Sequence, residues 1–431
     1  MHASASSPSR TLLRCAACAA TFPDTHPAPE CDRCGALLDV VHPEPPERGA
    51  ALARRFAARR GALAGPDASG VWRYRELVLP GATEPVTFPE GNTPLVDAAR
   101  VARWTGLGRL RLKHEGMNPT GSFKDRGMTV GITQARRIGA RAVACASTGN
   151  TGASLAAYAA LADLPALVII PAGRVALGKL TQALAYGART LLVRGDFDDC
   201  LRLVREASAR LGVHLLNSVN PFRIEGQKTI VLEMLEQLGW EPPDWIAVPA
   251  GNLGNTSAFG KALVEARDAG LIDRLPRLLA VQAAGAAPFA LSYHERFATR
   301  HRVTPNTVAT AIAIGDPASH DRAVRAIRDT DGMVVAVSDE EILEAKAVVD
   351  AAGVGCEPAS AASVAGVRAL ARRGVIAPDA SVVAVLTGHV LKDPGILVRY
   401  HREMEPPPPG ANRPREVDAT LDAVAEALGE V

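Results

Sequence analysis

The sequence predicts an open α/β fold with parallel sheets, and three observations carry that prediction. Short apolar, β-branched runs alternate with longer Ala/Leu-rich stretches from about residue 93 to 400. Several Gly/Asn/Ser/Thr-rich segments follow the apolar runs at once, which is where an open parallel sheet places its ligands. A chain of 431 residues with 47% hydrophobic content exceeds one ordinary core, so two lobes with small appendages are expected.

Residues 1–45 stand apart. They hold four of the seven cysteines and run into a proline-rich linker, HPEPPERG, at 42–49. Cys15 and Cys18 form one C-x2-C knuckle and Cys31 and Cys34 another, twelve residues apart. Four thiolates at that spacing can surround Zn²⁺ tetrahedrally, and such a closed site is structural, outside the chemistry. Strands are expected over 142–147, 166–171, 190–194, 246–249, 278–282, 333–337 and 382–387, each a short, nearly unbroken apolar run. Helices are expected over 125–138, 176–186, 197–211 and 339–352. Beyond the prolines at 406–409, Val417, Leu421, Val424 and Leu428 share one helical face, which predicts a short docked tail helix. Cys145, Cys200 and Cys356 are lone residues with no assigned chemistry, Cys145 reading as a small core residue.

The bulk numbers exclude some partners. A formal charge of +2 with no basic block gives no reason to expect nucleic acid or an anionic membrane. No run of about 18 apolar residues is present, and the first residues lack the apolar core of a signal peptide. A cytoplasmic address without structural disulfides is the expectation.

Four segments carry the candidate chemistry. NPTGSFKDRGM, 118–128, is a turn-rich lead into a helix. There Ser122 sits near the helix start, Phe123 offers an aromatic wall and Lys124 projects from the first turn. The positive end of a helix and burial against Phe123 both disfavour an ammonium, and a neutral amine is what Schiff-base chemistry requires. A solvated lysine in a charged KDR triplet is the plainer reading of that segment alone. ASTGNTGAS, 146–154, follows a strand and opens a helix, so its backbone N–H groups suit a carboxylate or phosphate. VPAGNLGNTSAFG, 248–260, repeats that pattern; Gly251 and Gly254 allow close backbone approach to a phosphate, while Asn252 and Asn255 tolerate unusual dihedrals. It is neither a G-x-G-x-x-G fingerprint nor a Walker A loop. LTGHVLKDP, 386–394, ends a strand at Thr387, whose hydroxyl can donate to a ring nitrogen.

In this order the four segments resemble the tryptophan-synthase-β class of pyridoxal 5′-phosphate (PLP) enzymes, fold type II, and within it the threonine synthases. The resemblance runs over about 72–400 and includes WRYREL, EGNTPL, NSVNPFRIEGQKT, TVATAIAIGDPAS and CEPASAAS. It implies two open α/β domains with the cofactor in the cleft: a large one from 46–115 and 221–405, and a small one from 116–220. The zinc-ribbon-like segment 1–45 precedes them, and 406–431 forms a linker and tail helix. It implies that Lys124 binds PLP covalently and shuttles protons, with Phe123 beside it. Asn150 meets the cofactor's phenolic oxygen, Gly251, Asn252, Leu253, Gly254 and Asn255 cradle its phosphate, and Thr387 meets the pyridine nitrogen. Ser147, Thr148, Asn150 and Thr151 match the loop for the substrate carboxylate. Asn217, Ser218, Asn220 and Arg223 match the grip on the substrate phosphate, for which Arg223's planar fork is suited. The implied reaction is γ-elimination of phosphate from O-phospho-L-homoserine and addition of water at Cβ to give L-threonine, by a homodimer. A related β-replacement enzyme or dehydratase acting on phosphoserine, serine or threonine is the alternative.

The chain departs from the family pattern near the expected substrate pocket. Gly355, before Cys356-Glu357, stands where a Phe is usual, and losing a phenyl ring opens volume unless another side chain fills it. Ala313 replaces an Arg and Asp316 an Asn, Pro89-Glu90-Gly91 replaces Gly-Glu-Gly, and Gly152 replaces Ser or Ala.

Overall fold

The computed structural model describes residues 10–147, 149–172, 180–195 and 197–429. Thirteen strands form three sheets among them. The first is a small antiparallel ribbon of β1 (Leu12–Cys15), β2 (Thr21–Pro23) and β3 (Leu38–Val41), in the order β2-β1-β3. Its two cysteine knuckles repeat one backbone pattern. The Ala19 N–H donates to Cys15 O and the Gly35 N–H to Cys31 O, with positive φ at both Ala19 (58°) and Gly35 (74°).

A six-stranded sheet is built from β4 (Leu95–Asp97), β5 (Arg109–His114), β10 (Trp245–Pro249), β11 (Arg277–Ala283), β12 (Met333–Val337) and β13 (Ser381–Leu386). Its order is β12-β11-β10-β13-β5-β4, parallel throughout except for the antiparallel edge strand β4. A four-stranded parallel sheet, order β8-β7-β6-β9, comprises β6 (Ala142–Ala146), β7 (Ala166–Pro171), β8 (Arg189–Val193) and β9 (Val213–Leu215). The central strand β10, WIAVP, is buried at every residue because helices cover both faces. Apolar clusters line both faces of each parallel sheet, Ile246 and Val248 on one side of β10 and Trp245 and Ala247 on the other.

The expected α/β fold is thus present, with the expected strands in place to within a residue. Strands β4, β5 and β9 and the ribbon strands carry no such signal. β5, RLRLKH, reads as polar because it bears four basic residues; Arg109 and Arg111 face outward while Lys113 is buried against Glu233 at 2.6 Å. Of the helix expected over 176–186, Thr181–Ala185 is helical, and 173–179 lie outside the described residues. The tail helix forms over Leu421–Gly429, but it is not docked. Val417, which precedes the helix, and Leu421, Val424 and Leu428 on it are all exposed, so three apolar residues on so short a helix do not hold it against the body.

Candidate active site

Four strand ends point into one cavity of about 2200 Å³ between the two parallel sheets. β6, β10 and β13 release the loops that start at Ser147, Ala250 and Thr387, and β5 leads through His114 to the turn before Lys124. Lys124, Asn150, Gly251, Asn252, Leu253, Gly254, Asn255 and Thr387 all line it, as do Phe123, Ser147, Thr151, Asn217 and Ser218. Four segments far apart in the chain therefore meet in one cavity.

Lys124 is the first residue of the helix Lys124–Arg137, and the residues after it hold that helix rigidly. Asp125 is buried and accepts from the Thr120 N–H at 2.7 Å, the Thr120 hydroxyl at 2.6 Å and Ser154 Oγ at 2.6 Å. Arg126 is fully buried; its guanidinium grips Glu115 at 2.7 and 2.8 Å and reaches Glu233 at 2.8 Å. Glu233 in turn binds Lys113. The KDR triplet is accordingly an anchor and not a solvated face. The Lys124 ammonium lies 4.1 Å from the Phe123 ring centroid. Burial first, and then the nearby Arg223 charge, pull Lys124 down from the usual lysine range to about 7, against an opposing pull from Glu357. A substantial fraction is a neutral amine at neutral pH.

The glycine loop after β10 is a cradle. Leu253 holds the left-handed region at φ 63°, a conformation costing a side-chain-bearing residue about 1 kcal/mol or more, and turns the chain into the helix Gly254–Asp268. The first N–H groups of that helix have no partner within it. A Cβ on Gly251 would stand 2.9 Å from Ile312 Cα, so only glycine lets the loop lie this close. Asn252 fixes the loop from behind, its Oδ1 accepting from the Ala318 N–H at 3.3 Å. Asn255 Oδ1, Thr256 Oγ and Ser122 Oγ are buried polar atoms with no protein partner here. A glycine-lined N-terminus with free donors fits a phosphate, and a half-neutral lysine fits an aldehyde. The residues present therefore fit PLP.

Glu357 is a site residue that sequence reasoning missed. It precedes Pro358 at the start of the helix Pro358–Arg372, and its carboxylate accepts from Asn150 Nδ2 at 3.1 and 3.3 Å. Thr387 Oγ, which lies 3.0 Å from Ser360 Oγ, also reaches Glu357 at 3.5 Å. Burial raises the Glu357 pKa. One carboxyl thus links the two side chains expected at the cofactor's phenolic oxygen and ring nitrogen. Its signal in the sequence was CEPASAAS, a Glu before Pro at a helix start.

The expected substrate residues are placed unequally. Thr148 lies outside the described residues. Ser147 Oγ accepts from the Gly149 N–H at 3.3 Å. Asn217 bonds the Ala146 backbone through both ends of its amide at 3.0 Å, tying β9's exit to β6's. Asn220 is buried and caps the helix Pro221–Gln227, accepting from the Phe222 N–H at 3.0 Å and the Arg223 N–H at 3.3 Å. Arg223 is fully buried. Its Nη1 donates to Leu216 O at 2.9 Å, while Nε and Nη2 have no protein partner. Burial draws this guanidinium down to about 10.

Of the departures, Ala313 and Asp316 face the cavity, and Asp316 pairs with Arg300 at 2.6 Å and Arg302 at 3.0 Å. Gly355 does not face it. It adopts φ 70°, and a Cβ there would stand 3.2 Å from Val390 Cβ, so Val390 already occupies the space. Gly152 is buried beneath its loop, where a Cβ would meet Ser147 O at 3.2 Å and Val168 Cγ1 at 3.3 Å.

The four ribbon thiols lie together, every sulfur within 4.8 Å of the others, with Cys15–Cys34 at 3.4 Å and Cys18–Cys31 at 3.6 Å. Tetrahedral Zn–S bonds of about 2.3 Å set sulfurs at about this spacing.

Comparison with known proteins agrees with this geometry. Residues 86–388 match the family described as pyridoxal-phosphate dependent enzyme. A threonine synthase of Methanosarcina acetivorans is 44% identical over 418 residues, covering 96% of this chain and 98% of that one. A threonine synthase of Synechocystis is 50% identical over 355 residues, covering 82% and 88%. Among solved structures, Escherichia coli threonine synthase aligns over 97% of this chain and 99% of that chain with TM-score 0.65. At 19% identity that likeness speaks for the fold.

Proposed function

From the premise that the chain belongs to the pyridoxal-phosphate-dependent enzymes, and among them to the threonine synthases, we propose how its own residues carry the reaction. It converts O-phospho-L-homoserine and water to L-threonine and phosphate. PLP, when bound, supplies the electron sink that makes removal of protons from substrate carbon feasible. The observation that carries the assignment of roles is Lys124: a lysine drawn to about 7 at the junction of four cavity loops.

Lys124 holds the cofactor, accepts the substrate's α-proton at Nζ and relays a proton from Cβ. The N–H groups of the loop Gly251, Asn252, Leu253, Gly254 and Asn255 bind the cofactor phosphate. Asn150 would meet its phenolic oxygen and Thr387 its ring nitrogen, and Glu357 holds both side chains. Because Thr387 is a neutral hydroxyl, it leaves the ring nitrogen without a proton donor of carboxylic strength. Ser147, Thr148 and Thr151 take the substrate carboxylate. Ser218 and Arg223, positioned by Asn217 and Asn220, receive the phosphate as it leaves Cγ; Arg223's unpartnered Nε and Nη2 support that role. The ribbon cysteines hold Zn²⁺ structurally. The domain boundaries given by the resemblance, a homodimer and a cytoplasmic setting complete the reading. Among the described residues no helix is long and apolar enough to cross a membrane.

Turnover of O-phospho-L-homoserine in ¹⁸O-water tests this reading. The label should enter the hydroxyl of threonine and not the released phosphate. Label in the phosphate would mean cleavage at phosphorus and would contradict it.

A further inference from the structure

The cavity holds a second lysine. Lys392 follows Thr387 by five positions, ends the short turn Val390–Lys392 and lines the cavity with Lys124, Asn150 and Glu357. Its backbone is fixed to the Lys124 lead-in. The Lys392 N–H donates to His389 O at 3.0 Å, and the His389 N–H donates to Gly121 O at 2.9 Å. Its side chain lies along Gly121, where φ is 83° and a Cβ would stand 3.0 Å from Lys392 Cε and 3.7 Å from Nζ. The ammonium ends on Gln182 Oε1, on the helix Thr181–Ala185 across the cavity. Gln182 Nε2 is itself bonded to Thr120 O at 3.3 Å. Among the described residues no carboxylate lies within ion-pair distance of Lys392. Glu357 and Asp125 act on it only from farther away, and burial lowers its pKa.

A half-buried ammonium held by a neutral amide is positioned but not neutralised, and that arrangement is costly unless an anion completes it. The substrate brings two oxyanions into the cavity, and each accepts hydrogen bonds from a compact three-donor ammonium. We propose that Lys392 is a further substrate-binding residue, whose ammonium exchanges Gln182 for an oxyanion of the substrate, the phosphate or the α-carboxylate. This rests on the threonine synthase reading.

The test compares the holoenzyme with its Lys392→Met and Lys392→Arg variants. Inorganic phosphate is titrated as a competitive inhibitor, and L-threonine is titrated through the absorbance of the lysine-bound cofactor. Lys392→Met should keep the cofactor band yet bind one of the two probes about ten-fold or more weakly, the size expected for a lost charged hydrogen bond. Lys392→Arg should recover part of that loss. Weakening toward phosphate assigns Lys392 to the leaving group, and weakening toward threonine assigns it to the carboxylate. Unchanged affinity for both probes in Lys392→Met would overturn the proposal. Absence of phosphate release from O-phospho-L-homoserine by the parent enzyme would instead overturn the functional reading beneath it.

Discussion

Lys124 acts as an amine because its surroundings withhold the proton, and that has a measurable pH signature. Its pKa of about 7 means that the reactive neutral form grows as pH rises through 7 and saturates about one unit above. Capture of PLP by cofactor-free protein should therefore show a rate inflection near pH 7, followed by absorbance. A rate still rising toward the ordinary lysine value of 10.5 would show that burial does not set it. Two residues along, Arg126 has the opposite task. It is buried against Glu115 and Glu233, so Arg126→Met leaves the Glu115 carboxylate buried without its cation and removes one of the cations around Glu233. The loss should be about 3–5 kcal/mol of unfolding free energy in denaturant melts. A loss below 1 kcal/mol would mean that the network does not anchor the Lys124 helix.

At the scale of elements, the cofactor cradle is a strand, a glycine loop and a helix start. Gly251→Ala must push its Cβ against the backbone of Ile312. We expect PLP affinity to fall at least about ten-fold with the fold retained, measured by equilibrium titration of the cofactor band. An unchanged affinity would remove the loop from the phosphate site. These elements were legible because their signals are local: a β-branched run, then glycines and asparagines, then a helical period. The same logic exposes what was not legible. β5 hides behind Arg109, Arg111 and Lys113, since only the tertiary partner Glu233 makes Lys113 a core residue. Glu357 was quoted inside its motif, but its meaning lies in Asn150 and Thr387, which are distant in sequence. Gly355 looked like a missing ring in the pocket, and only the fold shows Val390 in that volume.

At the scale of the whole molecule, the ribbon bridges both parallel-sheet lobes. On one side Asp39 pairs with Arg322 at 2.7 Å and Arg325 at 2.6 Å, and His42 meets Glu225 at 2.8 Å on the helix that carries Arg223. On the other side Asp24 pairs with Arg137 at 3.1 Å on the Lys124 helix, and Leu37 packs against the apolar cluster around β6 and β9. The four-cysteine spacing was readable; its placement across the lobes was not, because those contacts join residues over a hundred positions apart. Displacing metal with a thiol-reactive reagent should release one Zn²⁺ per chain, read with a metal indicator, and lower Tm. No released zinc would contradict the structural-metal reading. The central claim concerns what the assembled cleft acts upon, and steady-state phosphate release tests it most directly. With O-phospho-L-homoserine, O-phospho-L-serine and L-threonine offered separately, the account predicts phosphate and threonine from O-phospho-L-homoserine, and little turnover of the other two. Preferential release from O-phospho-L-serine, or deamination of threonine in its place, would contradict it.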